Sequence, residues 1–162
     1  MHPDDTSARF DLAYKYSQEN QERLSLFHYL RIPENERSAA TWNNLGVQYE
    51  HFNLNSKSVK AYRSAEEQGE TLAMSNLAQK LINAGFLKEA NDICDRALEI
   101  EDYHKNIGSA ITRIKVLPEE DEKKEKELTD KSVAYSEFYR SYGRALTATG
   151  VSDSAGIWQG PK

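Results

Sequence analysis

The chain has 162 residues, 21 of them Lys or Arg and 26 Asp or Glu, for a formal charge of −5; 38% are hydrophobic and 29% charged. A single Cys excludes an intrachain disulfide framework or a Cys-rich zinc module. No run approaches the ~20 apolar residues that cross a bilayer, the opening Met1-His2-Pro3-Asp4-Asp5 is too acidic for a signal peptide, and net negative charge speaks against general nucleic-acid binding.

In chain order, residues 6–38 come first, where Leu12, Ala13 and Tyr16 precede Ser25, Tyr29 and Ile32. Residues 39–70 use the same size classes in sharper form. Trp42, Leu45, Gly46 and Tyr49 make one helix with a bulky stripe around a small residue, and Ser58, Tyr62 and Ala65 make a second. Residues 71–104 repeat the order with Asn76, Leu77, Ala78 and Leu81, a turn at Gly85, then Ala90, Cys94 and Ala97. The copies are offset by 33 and 32 residues. Physically, the small residues let paired helices approach, and the large ones build a buried stripe. One hairpin cannot cover both its faces, so such units must stack.

The W-x2-L-G-x2-Y run at Trp42–Tyr49 and the roughly 34-residue period resemble the tetratricopeptide repeat. The junction Ala65–Ala73, followed by Asn76-Leu77-Ala78, also resembles the Sel1-like variant. The resemblance covers residues 6–104, with 6–38 degenerate. It implies an all-α, right-handed helical-hairpin solenoid, a tetratricopeptide-like superhelix of about 3–3.5 repeats. It also implies a concave groove for a peptide. Transferring the register, the groove falls on Asn43, Val47 and Glu50, then Ser75, Gln79 and Ile82, with Tyr14 from the first unit and Arg113 from the last. Phe10 and Ser17 are the other N-terminal equivalents. The carboxylate-clamp subfamily needs Lys and Arg at such positions; Asn43, Ser75 and Asn76 stand there instead.

Residues 105–148 are irregular. Ile107, Ile111 and Ile114 support a helix from about 104 to 117, and Pro118 is expected to interrupt it, because proline suits a first turn and not a helix interior. A charged insertion over 118–128 follows, with support expected from Glu119–Lys123, Glu120–Lys124 and Glu122–Lys126. The simplest reading is one long capping helix from about 119 to 148, whose first turns are this solvated charged extension. On it Ala134, Phe138, Ser141 and Ala145 form the face expected to pack on the preceding helix. Leu128, Tyr135, Tyr139, Tyr142 and Leu146 form a second stripe. Residues 149–162 read as a polar tail containing Trp158, with Gly150 as the helix stop. Three fates are open to the surplus stripe: cover by Trp158, pairing with a second copy, or a partner.

Chemistry finds little foothold. His2, His28, His51 and His104 are scattered, Cys94 sits at a core position, and no phosphate-binding or nucleophile-elbow motif occurs. No catalytic, cofactor or metal residue is assigned. The expectation is a non-catalytic protein-interaction module with a peptide or protein partner. It binds no nucleic acid, has no membrane insertion, and has cytoplasm as its default compartment. The alternative is an oligomerisation or regulatory helical segment of a larger polypeptide, self-associating as a homodimer through the aromatic C-terminal helix.

Overall fold

The computed structural model describes residues 5–148, and side chains up to Ala145. It is all-helical: α1 (Thr6–Gln18), α2 (Glu22–Leu30), α3 (Ala39–His51), α4 (Asn55–Glu66), α5 (Thr71–Asn83), α6 (Leu87–Leu98) and α7 (Asn106–Ala148), with a short 3-10 turn at Glu34–Glu36. No described helix is long and apolar enough to cross a membrane. Contacts divide the chain into two units at Val116/Leu117.

In the first unit the backbone repeats as the side chains do. Helices α1, α3 and α5 begin at residues 6, 39 and 71. Each is capped by the residue before it: Asp5 accepts from the Ala8 N–H (3.1 Å), Ser38 from Thr41 (3.2 Å) and Glu70 from Leu72 (3.2 Å). Each ends on a residue in the left-handed region, Asn20, Asn53 and Gly85, with φ of 56°, 56° and 82°. There the carbonyls of Tyr16, Tyr49 and Leu81 accept from the N–H five residues on, at 2.8, 2.8 and 2.9 Å. That closure satisfies an otherwise orphaned carbonyl and turns the chain into α2, α4 and α6. Asn substitutes for Gly at two of these turns because its short polar side chain tolerates the left-handed region.

Consecutive helices pack on one another from α1 to α6, and α3 also meets α5. The core takes in most of the repeated positions, together with Ala61, Met74, Ile82 and Ile93. Ala13, Tyr29 and Ile32 are buried, as are Leu45, Tyr62 and Ala65, and Leu77, Ala78, Cys94 and Ala97. Ser25, Ser58 and Ala90 are buried at their shared position. Leu12, Tyr16, Tyr49 and Leu81 are half-buried. Arg37 joins α2 to α3: its guanidinium lies 4.6 Å from the Trp42 ring and donates to the carbonyls of Ile32 (3.0 Å) and Leu30 (3.3 Å). Among the described side chains of α7, Ile107 and Ala110 are buried.

Pro118 does not interrupt the helix. No turn breaks Asn106–Ala148, so the expected last hairpin is a single helix with Pro118 inside it. Proline removes one N–H and crowds the carbonyl four residues back, here Ile114. Pro118 is exposed, so a carbonyl it frees meets water and not a dry core. In the second unit every described side chain from 118 to 145 is exposed. That includes Ala134, Phe138, Ser141 and Ala145, the face expected to pack. The helix carries the ion pair Glu127–Lys131 (2.6 Å), displaced from the three pairs expected further upstream. The Leu146 side chain, Gly150 and Trp158 lie outside the described residues.

Candidate interaction surface

Of the groove positions transferred from the repeat, two sets are consumed by packing. Asn43 and Ser75 occupy one equivalent position, 32 residues apart, and both are buried (4% exposed). Asn43 accepts from Asn76 (3.1 Å) and donates to Asn44 (3.4 Å), whose amide donates to the Tyr29 hydroxyl (2.9 Å). This polar chain runs from α5 through α3 to α2. Ser75 donates to the Leu72 carbonyl (2.7 Å). Glu50 and Ile82 share the next position. Ile82 is 1% exposed and belongs to the core. Glu50 is half-buried and engaged twice, accepting from the Tyr62 hydroxyl (2.7 Å) and the Lys80 ammonium (2.6 Å). Asn43, Ser75 and Ile82 are therefore not available to line a groove, and the Glu50 carboxylate already has two partners.

The reason is geometric. Helices α3 and α5 contact their own hairpin partners, the preceding hairpin and each other. At about 100° per residue, the buried positions of α5 (Thr71, Ala73, Met74, Ser75, Leu77, Ala78 and Ile82) cover an arc of about 200°. What remains is an arc of about 160°, with Lys80 at one edge tied to Glu50 and a strip through Leu72, Asn76, Gln79 and Asn83 along its middle. The equivalent strip of α3 is Ala40, Asn44, Val47 and His51, and that of α1 is Ser7, Asp11, Tyr14 and Gln18; none of these side chains is buried. Tyr14, Val47 and Gln79 thus hold one register on three helices, Tyr14 exposed and Val47 and Gln79 half-buried. Hydrogen bonds from Gln48 to Ser17 (3.2 Å), from Asn76 to Asn43 and from Lys80 to Glu50 join these helices side by side. Arg113 is exposed on α7. Sequence reasoning missed the flanking Ala40, Leu72, His51 and Asn83. Their signal was that position 40/72 stays apolar and 51/83 polar without entering the bulky stripe.

The strip carries no Lys or Arg. Tyr14 is half exposed and stacks on Phe10 (6.5 Å between centroids), which in turn meets the Tyr29 ring edge-on. Gln79 is oriented by Asn83 (3.2 Å). The chemistry on offer is amide hydrogen bonding beside small apolar contacts, which suits a polypeptide main chain with modest apolar side chains.

Titratable groups elsewhere are tuned by burial. The Tyr29 hydroxyl is pushed up to about 12 by burial, partly opposed by its bond from Asn44. Tyr62 is pushed up by burial and by Glu50. Burial, then Asp95, raises the Cys94 thiol, which weakens it as a nucleophile. Burial lowers His28, and Arg9 and Arg31 add to the effect. No group of three or more His, Cys, Asp or Glu among the described residues is placed to hold a metal ion. No protein-family model matches the chain, and neither does any curated protein sequence.

Proposed function

We propose that residues 6–104 form a right-handed stack of three tetratricopeptide/Sel1-like hairpins that acts as a non-catalytic protein-interaction module. Its ligand is an extended peptide or protein segment laid across α1, α3 and α5. The observation that carries this reading is the strip at Tyr14, Val47 and Gln79, where one register position stays unburied on three helices, two of which, α3 and α5, bury much of their remaining surface. Capped helices and closed turns hold these side chains in place before binding, so little receptor entropy is lost. The test is affinity capture with mass spectrometry. Val47→Glu/Gln79→Lys should lose partners that wild type and the remote control Glu101→Lys retain. Equal capture by all three proteins would remove the strip from the mechanism.

A second reading is self-association through the C-terminal helix. Its support is the exposure of Tyr135 (68%), Phe138 (61%), Tyr139 (68%) and Tyr142 (56%), aromatic side chains suited to interfaces. Light scattering on wild type and Tyr139→Ser/Tyr142→Ser tests it; equal masses for the two proteins would end it.

A further inference from the structure

The second helices of the hairpins share an outward face whose chemistry changes from one hairpin to the next. In α2 the positions 24, 27 and 30 carry Leu24, Phe27 and Leu30. The equivalent positions of α4 carry Lys57, Lys60 and Arg63, and those of α6 carry Glu89, Asp92 and Asp95. All nine side chains are exposed. The repeat imposes no residue type here, so an apolar, a basic and an acidic triad are free choices of this chain.

We infer that the α4 and α6 triads form a self-complementary docking surface for a second copy of the same chain. Helices α4 and α6 both pack on α5 and are linked to each other by the Glu66–Arg96 ion pair. The triads themselves are not paired with each other within the chain. Arg63 reaches Glu66 (3.7 Å), Lys57 lies 5.7 Å from the Tyr49 ring, and Asp95 accepts from Asn91 (2.7 Å). Among the described residues Lys60, Glu89 and Asp92 make no ion pair.

A twofold axis between the two helices and along them places α4 of one copy on α6 of the other, and the reverse. The interface is then isologous. Because the positions are equivalent in the repeat, the rungs match in order: Lys57 on Glu89, Lys60 on Asp92 and Arg63 on Asp95, each formed twice. A twofold axis across the helices would instead set like charge on like charge. Three rungs spaced by three residues span only about 9 Å of helix. Exposed ion pairs are individually weak. The pairing is therefore transient and controlled by salt. It rests on the stacked-hairpin reading of α3 to α6, but not on the strip where a peptide is placed.

Sedimentation equilibrium of the full chain tests the inference, with folding of each variant checked by circular dichroism. Wild type should associate at about 0.01 M salt and be monomeric at about 1 M, where the screening length falls from about 30 Å to about 3 Å. Lys57→Glu/Lys60→Glu/Arg63→Glu and Glu89→Lys/Asp92→Lys/Asp95→Lys should each lose self-association by tenfold or more. Mixed together, they should form a one-to-one dimer, since one copy then presents two acidic helices and the other two basic ones. If either triple variant fails to fold, Lys60→Glu and Asp92→Lys repeat the exchange. A wild type that stays monomeric at low salt overturns the inference, as does a mixture that does not pair. Loss on reversing the basic triad alone would assign α4 to another anionic surface and overturn it too. So would association insensitive to both reversals but lost in Tyr139→Ser/Tyr142→Ser. None of these outcomes alters capture by the Val47 and Gln79 strip, so the two readings fail separately.

Discussion

Gly46 lies directly against the ring of Tyr62. A Cβ on residue 46 would stand 2.5 Å from Tyr62 Cδ1 and 2.9 Å from Cζ, inside any tolerated contact. The equivalent pairs are Ala13 with Tyr29 and Ala78 with Cys94, so glycine at this position is particular to the middle hairpin. Forcing a methyl group into a packed core costs about 1–3 kcal/mol, against about 1 kcal/mol gained in helix propensity. Gly46→Ala should therefore destabilise by about 1 kcal/mol net, read from the urea midpoint. In a Tyr62→Leu background the steric part should vanish, which a double-mutant cycle measures.

The turns after the first helix of each hairpin give a contrasting pair. Gly85 holds φ of 82°, and Asn53 holds 56° at the equivalent place. Gly85→Ala should lose about 1–2 kcal/mol, the cost of a β-carbon in the left-handed region. Asn53→Gly should be nearly neutral. Both follow from denaturant titration at unchanged m-value; a neutral Gly85→Ala would show that the turn relaxes elsewhere.

Alkaline stability should be limited by Tyr29 and Tyr62. Both hydroxyls are raised above 10.0 by burial, Tyr29 to about 12. The folded state holds these protons more tightly than the unfolded state. Their contribution is thus complete below pH 10 and is lost as pH rises through the folded values. Thermal midpoints should fall steeply from pH 10 towards pH 12. Tyr29→Phe should flatten that slope, while lowering the midpoint at neutral pH because the Asn44 amide loses its acceptor.

His28 sets an opposite slope on the acid side. It stacks on Tyr16 (5.4 Å), meets Phe27 edge-on (5.1 Å), and its Nδ1 is buried with no hydrogen-bond partner among the described residues. Its value is lowered from 6.5, so the unfolded chain binds the proton first. Stability is full above 6.5 and falls as pH drops through the folded value. His28→Leu should lose part of the difference in unfolding free energy between about pH 7.5 and about pH 5. An unchanged difference would assign the acid slope to carboxylates alone.

The residues that pack inside a hairpin were legible in the sequence, because size alternation at Gly46/Tyr62 and Ala13/Tyr29 leaves only one way to bring two helices together. The open face was less legible. A helical wheel drawn for one hairpin leaves Asn43, Ser75, Glu50 and Ile82 outside, and only packing between hairpins buries them or ties them down. Asn43 looked like a ligand-facing amide, but its polarity serves the chain from Asn76 to Tyr29. Ile82 looked like the floor of a groove and is core. Pro118 misled for a different reason. The rule that proline ends helices assumes a freed carbonyl with no substitute partner, and an exposed helix surrounded by water does not meet that condition.

The complete exposure of residues 118–145 has a calorimetric consequence. The heat capacity of unfolding comes mainly from apolar surface newly wetted, and a helix already wet on every face has little left to wet. An isolated helix also melts over a broad range, without a cooperative transition. In differential scanning calorimetry the chain should show one sharp peak to whose enthalpy and heat-capacity step residues 118–145 add little. Helical ellipticity should decline well before that peak begins.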